Sequence, residues 1–141
     1  VTKSFCHQLK SSTAEINATS DAFRAFADGH GLTPAVLFAV DLALEEILSN
    51  IIFHGYNGQD DLPITVEATL LPDELMLRVE DAAPPFDPLK VAAPDLTIPL
   101  EDRKVGGLGI HLTRKMMDSL EYTRRDGRNV LTMRKRLEAS P

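Results

Sequence analysis

The spacing of apolar residues changes period midway along the chain, and that change restricts the fold more than any other feature. Up to about residue 54 the apolar positions recur at helical intervals. Ile16, Phe23 and Phe26 form one amphipathic stretch behind Ser12 and Glu15, which stand at capping-box spacing, and Gly29 and Gly31 close it. Thr33 reads as the N-cap of a second helix, with Pro34 at the first helical position, where no N–H is needed. Val36, Leu37, Val40, Leu44, Ile47, Leu48 and Ile51 give that helix its apolar face, and Gly55 stops it after His54. From Ile64 the period is two. Ile64, Val66, Ala68 and Leu70 alternate with polar residues, Pro72-Asp73 supplies a turn, and Leu75, Leu77 and Val79 alternate again. This predicts a hairpin. A weaker alternation of Phe5, His7 and Leu9 predicts a short first strand.

Five of the nine prolines then fall between Pro84 and Pro99, and Gly106, Gly107 and Gly109 follow. A structureless stretch of more than twenty residues is uncommon inside a compact domain unless it is functional. Beyond it, Gly106 to Gly109 open a third helix carrying Leu112, Met116 and Met117. Asp126-Gly127 then joins two strands, 120–125 and 129–136, as a tight hairpin. The order strand, helix, helix, hairpin, loop, helix, hairpin lacks the repeated crossovers of a doubly wound sheet. It predicts one α+β domain over residues 1–141: a two-layer α/β sandwich, its mixed, mainly antiparallel sheet bearing three helices on one face.

Composition narrows the function classes. The 141 residues carry 15 basic and 21 acidic side chains, a net charge of −6, which disfavours direct nucleic-acid binding. No apolar run reaches the roughly 18–20 residues of a membrane span, so no membrane role is expected. One cysteine, Cys6, excludes an internal disulfide and suits a reduced, cytoplasmic setting. His7, His30, His54 and His111 lack metal-ligand spacing.

Three clusters can carry chemistry. Glu46 and Asn50 stand four apart on the shoulder of the second helix, with Ala39 and Ala43 leaving room beside them. Hard oxygen donors of this kind suit Mg²⁺, and the carboxylate suits a general base; from spacing alone, a solvated helix flank is the commoner outcome. Gly106-Gly107-Leu108-Gly109 ahead of a helix presents backbone N–H groups at phosphate scale, with Arg103 and Lys104 just upstream. It lacks the Walker A pattern, and a simple helix-opening turn fits as well. Asp81, ending a strand before Ala-Ala-Pro-Pro-Phe-Asp-Pro, can accept from an exocyclic amine or can merely start a turn.

Taken in order, ALEEILSNIIFHGY, VEDAAPPFDP and GGLGIHLTRKMMDSLEY resemble the N, G1 and G2 boxes of the GHKL (Bergerat-fold) ATPases. Within that superfamily, His-Gly-Tyr, Pro-Phe-Asp-Pro and the compact GGLGIHL resemble the anti-sigma factor serine/threonine kinases of bacterial partner-switching systems. The resemblance implies ATP and Mg²⁺ as cofactors, Glu46 as general base and Asn50 as the Mg²⁺ anchor. It implies Asp81 and the neighbouring Ala83 at the adenine, and a lid over about 86–105. Arg103, Lys104, Gly106, Gly107, Leu108 and Gly109 would lie along the phosphates, with Thr132 on the closing hairpin also facing nucleotide. It further implies phosphorylation of an anti-anti-sigma STAS-domain protein, sequestration of a sigma factor, and a homodimer. Ala83 departs from the glycine usual two residues after the Asp. Its methyl either weakens nucleotide binding or is accepted by a shifted loop, so the alternative is a catalytically weak or inactive nucleotide-dependent binding module.

Overall fold

The computed structural model describes residues 3–90, Thr97 and 107–137. Its alternating segments become five strands of one sheet: β1 (Lys3–Lys10), β2 (Pro63–Leu70), β3 (Glu74–Asp81), β4 (Ser119–Arg125) and β5 (Arg128–Arg136). They lie in the order β1-β2-β3-β5-β4, and every pairing is antiparallel. The mixed sheet expected from the element order is therefore corrected to an antiparallel one among the described residues. Tight turns force the pairings within the two hairpins, and β5 returns alongside β3 after the chain has reversed through β4. At the β4–β5 turn Asp126 and Gly127 have φ of 53° and 77°, the two successive positive values a type I′ turn requires.

Strand alternation separates two faces. Ala68, Leu77 and Met133 stand in one inward row and Val66, Val79 and Leu131 in the next, all buried. They meet Ile16 and Phe23 of α1 (Ala14–Ala27) and Val40, Leu44 and Leu48 of α2 (Pro34–Asn50) in a single apolar cluster. The opposite parity, Glu67, Arg78 and Thr132, faces away from the helices.

The helix ends show which local signals hold. Thr33 caps α2 as expected: its hydroxyl accepts from the Val36 N–H at 3.3 Å. The capping box of α1 does not form. Thr13 is the N-cap and makes no side-chain bond, while the Glu15 carboxylate accepts from Lys10 N at 3.1 Å, across the junction with β1. The second helix also ends differently. After Asn50 it widens into one π-helical turn, Ile51–Gly55, closed by Tyr56 N donating to Ile51 O at 2.7 Å. In α3 (Gly107–Met116) the inward stripe is Ile110 and Thr113, continued by Met117. Leu112 lies one position off that stripe and is exposed.

Candidate nucleotide-binding site

Where β3 ends, the π turn and the adjacent end of β5 enclose a cavity of about 210 Å³. A single water needs only about 10–15 Å³ of such space, so an organic ring system is the appropriate scale of guest. Ile47, Ile51, Val79, Leu131 and Tyr122 give it apolar walls, and Pro84 to Phe86 form its rim. Asp81, Asn50 and Asn129 supply polar groups. Flat apolar walls with a few placed polar atoms are the usual construction of a small-molecule site.

At its sheet end the polar groups are already bonded to one another. Asp81, 5% exposed, accepts at Oδ1 from Ala83 N and from Asn129 Nδ2, both at 2.9 Å. Its Oδ2 has no partner among the described residues. Burial raises the Asp81 carboxyl above the ordinary carboxylate range, while the Asn129 and Ala83 hydrogen bonds oppose that rise. The Tyr56 hydroxyl donates to Pro63 O at 2.7 Å and accepts from Ala82 N at 2.8 Å, so it clamps the loop after β3 to the start of β2. Burial raises the Tyr56 phenol too. Arg124 Nη1 donates to Ala83 O at 2.7 Å. The Ala83 methyl points to Gly55: a Cβ built on Gly55 would lie 3.0 Å from it. The π turn thus offers its one residue without a side chain where Ala83 needs space.

The helical end is built otherwise. Glu46 and Asn50 make no side-chain hydrogen bond with any described residue. Asn50 lines the cavity, and Glu46, one turn earlier, lies over the first turn of α3, where a Cβ on Gly109 would fall on its carboxylate. Glycine there permits α3 to approach α2 so closely. Two unpartnered oxygen-bearing side chains beside a glycine-opened helix N-terminus fit a hydrated divalent cation and phosphate, since each retains its capacity to accept or coordinate.

Over residues 9–135 the sequence matches the histidine kinase-like ATPase domain. The chain belongs to that family. Over 96 residues it is 33% identical to serine/threonine-protein kinase BtrW of Bordetella bronchiseptica, covering 68% of each chain. It is 28% identical over 109 residues to the anti-sigma F factor of Clostridium perfringens, covering 75% of this chain and 78% of that one. To serine-protein kinase RsbW of Listeria monocytogenes it is 30% identical over 94 residues, 64% of this chain. That match spans 60% of the Listeria protein, less than two thirds of its length. The crystal structure of the RsbU and RsbW domains of Rv1364c from Mycobacterium tuberculosis shares the fold. Its TM-score is 0.67 over 96% of this chain and 32% of that chain, at 15% identity.

Within this histidine kinase-like ATPase domain, the expected site residues divide into four groups. Asp81, Ala83, Asn50 and Glu46 lie at or beside the cavity, with Gly109 against Glu46. Gly107 and Leu108 form the first turn of α3, while Arg103, Lys104, Gly106 and most of the expected lid lie outside the described residues. Thr132 is corrected. It pairs with Arg78 and Glu121 on the sheet face opposite the cavity, because Leu131, its neighbour, holds the inward parity. Tyr56, Tyr122, Arg124 and Asn129 were not anticipated as residues of the site. Tyr56 carried a signal in the His-Gly-Tyr that follows α2. Asn129 carried none, since its partner Asp81 is 48 residues away on a strand that is not its hairpin mate.

Proposed function

We propose that this chain is an ATP-dependent serine/threonine protein kinase acting as an anti-sigma factor. Its substrate is a serine or threonine of a STAS-type anti-anti-sigma protein, and its sequestered partner is a sigma factor. It works in the cytoplasm as a homodimer. The observation that carries this reading is the pairing of two dissimilar ends in one cleft: an apolar pocket with an acceptor at its base, and unpartnered Glu46 and Asn50 beside the start of α3. Serine/threonine kinases among the relatives agree with it.

In this reading Asp81 Oδ2 accepts from the adenine amine, and Ile47, Ile51, Val79 and Leu131 sandwich the ring. The backbone N–H groups at the start of α3 receive phosphate oxygens. Asn50 and phosphate oxygens would hold Mg²⁺, which when bound neutralises charge on the phosphates. Glu46 takes the proton of the attacking hydroxyl as its oxygen bonds to the γ-phosphorus. The bond from that phosphorus to the bridging oxygen breaks, and ADP leaves with the electron pair. Apolar walls keep water from competing with the hydroxyl.

Calorimetric titration with Mg²⁺-ATP, followed by γ-phosphate transfer to a cognate STAS-domain protein, tests the reading. Glu46→Ala is expected to retain nucleotide binding and lose transfer by about 10²–10⁴-fold. Absence of nucleotide binding in the wild type would overturn the proposal. Binding without transfer would leave a nucleotide-dependent binding module instead.

A further inference from the structure

Asn129 holds more of the cleft together than any other side chain among the described residues. Its Nδ2 faces three acceptors: Asp81 Oδ1 at 2.9 Å, Pro84 O at 3.1 Å and Ala83 O at 3.2 Å. Its Oδ1 faces two donors, the Tyr122 hydroxyl at 2.5 Å and Phe86 N at 3.2 Å. A backbone N–H can only donate and a backbone carbonyl only accept, so this surround fixes which end of the amide is nitrogen. The residue is 6% exposed and joins β5 to Asp81 on β3, to Tyr122 on β4 and to the segment that follows β3.

We propose that Asn129 is a positioning residue for base recognition. By donating to Asp81 Oδ1 it turns Oδ2 to the cavity, and by bonding Ala83, Pro84 and Phe86 it holds the cavity rim at a fixed distance from that oxygen. This rests on the reading of Asp81 as the acceptor of the adenine amine. A rotation of the Asp81 carboxylate would otherwise exchange its two oxygens. The Ala83 N–H alone could bond either one, because it approaches from the next residue but one. The Asn129 amide, held by five partners, removes that freedom. Its donated bond also favours the ionised carboxylate, which burial disfavours. The bond from Asn129 therefore opposes protonation of the carboxyl and favours an acceptor opposite the base. An acceptor suits an exocyclic amine and repels an exocyclic carbonyl, so a purine of the 6-amino class is the ligand it selects.

The test compares affinities for ATP and for purine riboside triphosphate, which lacks only the exocyclic amine. Wild type is expected to prefer ATP by on the order of ten- to a hundredfold. In Asn129→Ala and Asn129→Leu that preference is expected to collapse toward unity, mainly through weaker ATP binding. Asn129→Leu keeps the side-chain volume and removes the donor to Asp81 without adding a charge. It is the variant to read if Asn129→Ala melts below the assay temperature. A purely structural role would lower both affinities alike and leave the ratio intact, and that result would overturn the inference. A wild-type ratio of one would instead overturn the assignment of Asp81.

Discussion

The two ends of the cleft solve different problems. The end proposed for the base is bonded before any ligand arrives, save for Asp81 Oδ2: Asp81, Asn129, Tyr56, Tyr122 and Arg124 bond to each other or to loop backbone. The end proposed for phosphate shows, among the described residues, only close approach, with Glu46 over Gly109 and Asn50 without a partner. A rigid base end suits a planar ring whose contacts are the same before and after reaction. An unsatisfied phosphate end suits groups whose charge changes during reaction, because its donors and ligands are committed only when phosphate is present. In the proposed reading one end specifies and the other reacts.

The sharpest way to break the comparison is at the reactive end. Gly109→Ala adds a methyl where Glu46 now lies, and the carboxylate must move. Phosphotransfer is expected to fall by about 10²-fold, the scale of a roughly 1 Å misplacement of a reacting group. Alanine also raises helix propensity in α3, by about 1 kcal/mol relative to glycine. Stability should consequently change little, and a rate assay beside a thermal melt separates the two effects. Unchanged transfer would show that Glu46 is not held by this contact.

At the base end the expected effect is on stability. Tyr56→Phe removes a hydroxyl bonded at once to Pro63 O and Ala82 N. It leaves a buried donor and acceptor to find other partners, a cost of about 1–3 kcal/mol. The melting temperature should fall while transfer at saturating ATP is retained. If transfer were lost without destabilisation, the division between the two ends would fail.

Much of this was legible in local pattern, and what was missed has separate physical causes. Thr33-Pro34 and Asp126-Gly127 each satisfy backbone geometry within a few residues, so sequence alone places the start of α2 and the β4–β5 turn. Asp81 stood out as a strand end and Glu46/Asn50 as an i, i+4 pair, but spacing alone favoured a turn and a solvated helix flank; their expected roles came from the resemblance of the three boxes in order. The role of Asn129 needed the register of β3 on β5, and the misplacement of Thr132 was an error of a single residue in the same register. The π turn escaped because its apolar residues still satisfy a helical count; only the Tyr56-to-Ile51 hydrogen bond reveals the extra residue. The Ser12–Glu15 box failed because Glu15 found a better-placed N–H at Lys10, in the preceding strand.

A smaller test concerns Ala83, the departure from the family pattern. Its methyl faces Gly55, and its N–H and C=O are both tied down, so it cannot easily yield. Gly55→Ala should destabilise by about 1 kcal/mol through overpacking. Ala83→Gly, introduced with it, should restore the melting temperature. Independent additive effects would mean that the two positions do not share the space.

The smallest expected effect, on pH dependence, bears most directly on why the base end is built as it is. Burial raises the Asp81 carboxyl in the folded chain, so the fold binds that proton more readily than the unfolded chain does. The stability contribution of this group is present below the unfolded value, about 3.9, and is lost as pH rises through the folded value. At neutral pH the ionised carboxylate therefore lowers stability. Asp81→Asn keeps an oxygen for Ala83 N and Asn129 and removes the buried charge. It should melt slightly above wild type at neutral pH, with the gap narrowing as pH falls toward about 4. Melts across that range check it, and a gap independent of pH would show that the charge carries no such cost. If it does carry one, then in the proposed reading the rigid end of the cleft is less stable than it could be because it keeps an acceptor ready for the base.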